Sequence, residues 1–595
     1  MKPHYLVGID LGTTNSVVAY KEISSSASKK IQVFLIPQWV KAGVVEKRSM
    51  LPSFLYLPHP QELSKESTKL PWSQTAPDYI VGEYARIKGG EVPSRLVSSA
   101  KSWLCHQGIN RQEPLLPFQA PEEVSKISPI EASSRYLLHL KDAWNAEIGK
   151  IPERMLENQP IYLTVPASFD AVARELTVLA AKKIGLQVTL LEEPQAAFYA
   201  WLYQQEEQWR TLLKVGDLIL IVDVGGGTTD FSLVSVINEE GNLQLKRLAV
   251  GDHNLLGGDN MDMTLAHQAS QKLKKGKLDI WQSVALWYTC REAKEAILSD
   301  PTLQKKGISI LGRGSSVIGS TLKTELSREE VEQTLLNGFF PKISLSEDQM
   351  KTHKIGLSEL NLPYASDPAI TRHIAQFLKQ NKQTTSFAAP TAILFNGGVF
   401  KGEIFRKRVV EVLNSWLKDA SQKPLKILES TDLDLSVAIG AVYYGEAQQG
   451  RGIRIRGGAA RSYYVGIESS RPAIPGFPAP LKALCVVPHG MEEGTEANIP
   501  NLELGLVVGA PVSFPFFSST QRKLDTLGLL LEDIETELES NVSMETVLKP
   551  TETIQEGEHI PVKLHTRLTE IGTLELFCRT LDEKHQWQLE FNIRG

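Results

Sequence analysis

A chain of 595 residues and 66.0 kDa is several times the ~100–200 residues of one domain, so two or more packed units are expected. Its 42% hydrophobic and 22% charged residues are those of a folded globular protein, which excludes collagen-like, wholly disordered and coiled-coil classes. With 64 Lys+Arg against 69 Asp+Glu the net charge is -5, no signature of a polyanion binder, so no nucleic-acid partner is expected.

In chain order, the first element is a short buried strand, Tyr5-Leu6-Val7-Gly8-Ile9, which runs into Asp10-Leu11-Gly12-Thr13-Thr14-Asn15. Asp10 cuts this apolar run too early for a signal peptide, and no later run reaches the ~18 residues needed to span a bilayer. A cytoplasmic protein with no membrane partner is therefore expected. Ser16 to Tyr20 resume strand-like text, so the glycine turn lies between two strands of a hairpin. Residues 171–184 carry apolar positions at helical spacing and stop at Gly185. A second hairpin follows: Leu218 to Val222, then Asp223-Val224-Gly225-Gly226-Gly227-Thr228-Thr229-Asp230, then Phe231 to Val236. The repeat implies two similar halves facing one another. Helical text covers 280–299, ending before Asp300-Pro301, and then 403–417 and 432–447. Residues 450–461 begin with a glycine-arginine stretch and read as a linker. Beyond it, strand-like fragments broken by Pro and Gly fill 462–595. The acid-rich run from Glu532 to Glu558 reads as a solvated face or loop. The four cysteines, Cys105, Cys290, Cys485 and Cys578, form no C-x-x-C and read as reduced core thiols.

The paired hairpins carry the chemistry. A glycine turn lets backbone N–H groups approach phosphate oxygens, and a Thr hydroxyl adds a donor. An Asp at the end of each preceding strand faces the same phosphates. Bare carboxylates beside a triphosphate repel it, so a hydrated Mg²⁺ between them is implied.

Asp10-Leu11-Gly12-Thr13-Thr14-Asn15-Ser16 together with Asp223-Val224-Gly225-Gly226-Gly227-Thr228 resembles the ATPase of the heat-shock 70 (DnaK-type) chaperone family. Val165-Pro166-Ala167-Ser168-Phe169 with Arg174, Glu192-Glu193-Pro194-Gln195-Ala196-Ala197, and Asn396-Gly397-Gly398 with Ala438-Ile439-Gly440-Ala441 match it in order. The resemblance implies an α/β fold. An actin-like ATPase of duplicated ribonuclease-H-like halves (residues 1–449) precedes a linker (450–461). A β-sandwich-like substrate-binding domain without the helical lid (462–595) follows. It implies ATP/ADP and Mg²⁺ as cofactors, with Asp10, Asp223 and Glu193 around the metal and the attacking water. Gly12, Thr13, Thr14, Asn15, Gly225, Gly226, Gly227 and Thr228 would hold the phosphates, and Lys294, Gly397 and Gly398 the nucleoside. Lys101 would stabilise charge on the transferring phosphoryl group, and Pro166 and Arg174 would relay nucleotide state between domains. The expected partners are unfolded or extended polypeptides, a J-domain co-chaperone and a nucleotide exchange factor, acting on a monomer.

The chain also departs from the family. Its adenine helix offers Glu, Lys, Arg and Ser; here the matching positions are Arg291, Lys294, Glu295 and Leu298, and Lys401 replaces an Arg. The expected function is an ATP-hydrolysing chaperone. The rivals are a hydrolytically weak co-chaperone or exchange factor, a sugar-kinase-like phosphotransferase and a filament-forming relative.

Overall fold

The computed structural model describes all residues except 1, 24–29, 64–67, 74, 107–108, 119, 168, 240–241, 252–253, 274–277, 313–320, 348–361, 363, 383–386, 431, 454, 457–458, 460, 469–480, 493, 501, 520–521, 523, 533–537, 541–543, 549, 551–556, 570–572 and 593–595. The chain divides into two compact units, one of residues 1–243 with 248–454 and one of 244–247 with 455–595. Among the described residues no helix is long and apolar enough to cross a membrane.

The first half of the larger unit contains β1 (Tyr5–Leu11), β2 (Asn15–Glu22), α1 (Ala100–Trp103), α2 (Pro129–Glu147), β3 (Ile161–Val165), α3 (Ala171–Lys182), β4 (Val188–Glu192) and α4 (Glu193–Gln205). Its sheet is ordered β4-β3-β1-β2, with the short strands Gln32–Val33 and Leu51–Pro52 added beside β2. The second half contains β5 (Leu218–Val224), β6 (Thr229–Glu239), β7 (Asn242–Val250, of which 244–247 count with the smaller unit), α5 (Gly258–Lys272), α6 (Ile280–Ser299), β8 (Ala392–Asn396), α7 (Glu403–Asp419), β9 (Lys426–Leu428) and α8 (Ser436–Gln448), its sheet ordered β9-β8-β5-β6 up to β7. The halves repeat one plan: β1 and β5 each pair antiparallel with the next strand and parallel with β3 or β8. Register is conserved with the plan. Asp10 lies opposite Thr164, and Asp223 opposite Asn396.

Local chemistry sets the helix ends. The Asp170 carboxylate accepts from the Ala173 N–H and starts α3; Gly185, at φ +77°, takes the chain away after it. Asp279 and Gln282 form a reciprocal capping box on α6. Helix α8 starts at Ser436 rather than 432, because the Asp432 carboxylate accepts from the Asp434 and Leu435 N–H groups and holds a turn there. Helices α4 and α8 meet at backbone distance: a Cβ on Gly440 would lie 1.7 Å from the Ala196 carbonyl oxygen, and one on Gly8 2.3 Å from that of Ala438.

The smaller unit is mainly antiparallel β. The long strands His559–Leu568, Thr573–Thr580 and Gln586–Asn592 form one sheet, and Ser462–Glu468, Leu481–Val487 and Phe516–Ser519 belong to another. Both deliver side chains to one core, including Val465, Leu484, Val486, Val562, Leu576 and Leu589. Two stretches read as loop or linker contain short strands. Within the acid-rich run, Met544–Val547 pairs with Pro511–Phe514, since β-forming Thr546 and Val547 can add to an edge whatever the charge of their neighbours. Within 450–461, Ile455–Arg456 is a strand paired in parallel with Leu245 and Lys246, and Ile455 is buried. The four cysteines are free and buried.

Candidate functional site

The topology brings the ends of β1 and β5 to one cleft of about 620 Å³ in the larger unit. Asp10, Gly12, Thr13, Thr14, Asn15, Lys101, Glu193, Asp223, Gly225, Gly226, Thr228, Lys294, Gly397 and Gly398 all line it. These come from stretches spread over almost 390 residues of sequence; most sit at a strand end, in a glycine turn or at a helix start, while Lys294 comes from the body of α6. Gly227 packs against the opposing half on the side where a side chain would project. A Cβ there would lie 2.5 Å from Ser102 Oγ and 3.1 Å from the Thr13 side chain, and one on Gly226 2.2 Å from Thr14 Oγ1. The two glycine hairpins are therefore pressed together, and the missing side chains are what allow it. Gly397, at φ +88°, has a further requirement: a Cβ would meet the Val224 carbonyl oxygen at 2.3 Å and Asp223 Oδ1 at 2.6 Å.

Each strand-end carboxylate is held by the residue across from it on the parallel neighbour. Thr164 Oγ1 donates to Asp10 Oδ1 at 3.1 Å, and Asn396 Nδ2 donates to Asp223 Oδ2 at 2.7 Å. The Ser436 hydroxyl donates to Asn396 Oδ1 at 2.7 Å and orients that amide. Glu193 is the first residue of α4 and its carboxylate accepts from the Lys101 ammonium, an ion pair that is almost wholly out of water. Withdrawal from water, with Glu193 nearby, pushes the Asp10 carboxyl up to about 7. Burial and Glu193 also raise Asp223 well above the carboxylate range. Burial raises Glu193 against the opposing pull of Lys101. Burial alone would lower Lys101, but the attractions of Glu193 and Asp10 outweigh it, and its pKa is raised. Carboxylates thus outnumber cations at the base of the cleft, a donor set that suits a hydrated divalent cation. Among the described residues no three His, Cys, Asp or Glu side chains converge into a direct metal site, so a cation served by Asp10, Glu193 and Asp223 would be held through its water shell.

Farther along the cleft, Arg291, Lys294, Glu295 and Leu298 of α6 share its wall. The Arg291 guanidinium donates to Asp259 Oδ1 at 2.6 Å and to Asp262 Oδ2 at 2.7 Å, and Lys294 Nζ lies 2.7 Å from Asp262 Oδ1. Both cations are buried and neutralised within the wall. Glu295 is exposed, Leu298 adds an apolar surface, and Lys401 pairs with Asp434 at 2.5 Å. Asp259 and Asp262 were not legible as site residues; the signal was Gly257-Gly258-Asp259, a third glycine turn opening a helix. Thr164 carried no signal, because its role depends on strand register.

Pro166 and Arg174 stand apart from the cleft. Pro166 follows β3, and buried Arg174 on α3 donates from Nη2 to the Ala167 carbonyl at 2.9 Å and lies 3.4 Å from Glu192 Oε1. Glu192 is the neighbour of Glu193, which links this pair to the cleft through one peptide.

Residues 72–361 match the Hsp70 protein family. The chain is 28% identical over 359 residues to a protein named Chaperone protein HscA homolog from Acinetobacter baylyi, an alignment covering 60% of this chain and 50% of that protein. It is 27% identical over 344 residues to the namesake from Vibrio atlanticus, covering 56% and 47%, and 29% identical over 336 residues to that from Haemophilus influenzae, covering 55% and 46%. The chain thus spans about half the length of the curated relatives it matches.

Proposed function

We propose, for this divergent relative of the Hsp70 chaperones, that the larger unit is an actin-like ATPase and that the protein couples ATP hydrolysis to the binding of extended polypeptide. The observation that carries the catalytic half is the convergence of Asp10, Glu193 and Asp223 at the mouths of two glycine hairpins, with the buried Lys101 ammonium paired to Glu193 and close to Asp10.

In this reading the backbone N–H groups of the hairpins and the hydroxyls of Thr13, Thr14 and Thr228 bind the phosphate tail. Glu193 and Asp10 orient a water for attack on the γ-phosphorus and accept hydrogen bonds from it. Lys101 stabilises the charge that gathers on the transferring group, and positioning with electrostatics supplies most of the rate. Bound Mg²⁺, served by Asp10, Glu193 and Asp223, would neutralise the charge of the phosphates. Gly397, Gly398 and Lys294 border the nucleoside end.

Residues 462–595 would take the client, with backbone pairing giving affinity and side-chain pockets selectivity. Residues 450–461 would serve as the linker, and Pro166 and Arg174 as the relay, the Arg174–Glu192 contact lying one residue from Glu193. A J-domain co-chaperone and a nucleotide exchange factor are the partners that this cycle requires.

The test is a single-turnover assay with Mg·ATP, with and without an extended apolar peptide, beside GTP as competitor. Hydrolysis of bound ATP that responds to peptide supports the reading. ADP formation that depends on a small sugar would replace it with a kinase, and tight binding with no turnover would make the chain a nucleotide-bound co-chaperone.

A further inference from the structure

The catalytic lysine sits on a very short support. Helix α1 has only four residues, Ala100–Trp103, too few to hold itself in water. Its start depends on Ser99, whose carbonyl accepts from the N–H groups of Ser102 (2.9 Å) and Trp103 (3.3 Å). Ser99 adopts a left-handed conformation, φ +53°, a strained choice for a residue with a Cβ. Its hydroxyl makes no cap to its own helix. Instead Ser99 Oγ donates across 160 residues of sequence to Asp259 Oδ2 at 2.8 Å, and both groups are buried.

Asp259 is a fixed anchor. Its N–H donates to the Gly226 carbonyl at 2.8 Å, beside the Gly258 N–H on the Gly225 carbonyl at 3.0 Å. Its other carboxylate oxygen accepts from Arg291 at 2.6 Å. One hydroxyl thus joins the glycine hairpin of the second half to the helix that carries Lys101 in the first. The same helix places Ser102 Oγ against Gly227, where a Cβ would lie 2.5 Å from it. That hydroxyl is fully buried with no hydrogen-bond partner among the described residues.

We propose that Ser99 is a positioning residue: its hydrogen bond to Asp259 latches α1 to the second glycine hairpin and so sets Lys101 in place only when the two halves are closed on each other. This rests on Lys101 acting at the γ-phosphate. The strain at Ser99 persists because the latch holds it. Breaking the latch frees α1 while leaving Lys101, Glu193 and the two glycine turns unsubstituted, and Asp259 keeps its bond from Arg291.

The test compares Ser99→Gly, which removes the hydroxyl while accepting positive φ, with Ser99→Asn, which also tolerates positive φ and brings an amide donor. A hydrogen bond to a charged acceptor predicts that Ser99→Gly lowers single-turnover ATP hydrolysis by about 10- to 100-fold. The dissociation constant for Mg·ATP should change less than about threefold, and Ser99→Asn should recover most of the loss. Amide hydrogen exchange of the nucleotide-free protein supplies a readout that needs no turnover: Ser102 and Trp103 should exchange faster in Ser99→Gly and regain protection in Ser99→Asn. Equal protection in wild type and Ser99→Gly would overturn the latch. Lys101→Ala separates the two claims. If it abolishes hydrolysis while Ser99→Gly hydrolyses at the wild-type rate, the latch is wrong and the reading of Lys101 stands. If Lys101→Ala hydrolyses normally, the catalytic reading itself falls.

Discussion

Replacing Lys101 by Ala removes an ammonium that faces Glu193 and Asp10 at the base of the cleft. The pair it makes with Glu193 is buried, with side-chain exposures of 8% and 13%, so its loss falls in the range of broken buried ion pairs, about 3–5 kcal/mol. The carboxyls can limit that cost by taking up a proton. Asp10 already titrates near 7, and Glu193 and Asp223 are raised by burial. A group whose pKa is higher in the folded state contributes stability at low pH and loses it as pH rises through the folded value. The destabilisation by Lys101→Ala should therefore be small near pH 6 and approach its full size above pH 8. Urea unfolding of wild type and variant at both pH values, without nucleotide, measures it. Glu193→Gln added to Lys101→Ala should restore much of the lost stability at high pH, because no uncompensated carboxylate remains at that position. It should not restore hydrolysis, which Lys101→Ala lowers by about 10²–10³ in single turnover while ATP still binds to the hairpins. A pH-independent loss of stability would show that the carboxylates are not coupled through Lys101. A rate loss below threefold would remove Lys101 from the mechanism.

Three further outcomes follow from single sites. Gly440→Ala places a methyl 1.7 Å from the Ala196 carbonyl oxygen, so α4 and α8 must separate at a cost of ~3 kcal/mol; an unchanged urea midpoint would mean that the helices do not cross at that residue. On the proposed reading, Leu298 and exposed Glu295 stand at the nucleoside end, while Arg291 and Lys294 are paired with Asp259 and Asp262. ATP and GTP dissociation constants should differ by far less than in a site built to hydrogen-bond one base, and a preference beyond about a thousandfold for ATP would refute this. Buried His139 donates from Nε2 to the Pro37 carbonyl (2.9 Å), and burial holds its pKa down to about 4. The unfolded chain binds its proton first, so stability should fall as pH drops from about 6.5 towards 4, by roughly 2–3 kcal/mol at the lower end; His139→Gln should flatten that slope in thermal or urea unfolding.

Some of this architecture is written in local text. Buried strands announce themselves by runs such as Leu218 to Val222. Helix α6 is bounded as its periodicity and capping residues require, because both act within one or two turns of chain. The glycine turns are legible for the same reason: a turn that needs close backbone approach can use only a few residue types. Even the duplication shows, since two copies of one hairpin repeat the same short pattern. Other features have no local cause. Thr164 and Asn396 become the partners of Asp10 and Asp223 only through the register of parallel strands 154 and 173 residues apart in sequence. Gly227 reads as a phosphate contact, and only the fold adds that the opposing hairpin leaves no room there for a side chain. Arg291 is legible only as a residue of its helix, and its pairing with Asp259 and Asp262 exists only in the fold. Ser99 reads as an ordinary polar residue before a lysine until the second half brings Asp259 to its hydroxyl. The sequence by itself determined which turns, strands and helices this chain could form and which residue types could meet a phosphate. Tertiary structure alone decided which charges are spent on one another and which still face the cleft, because neutralisation and burial depend on groups the chain brings together only by folding.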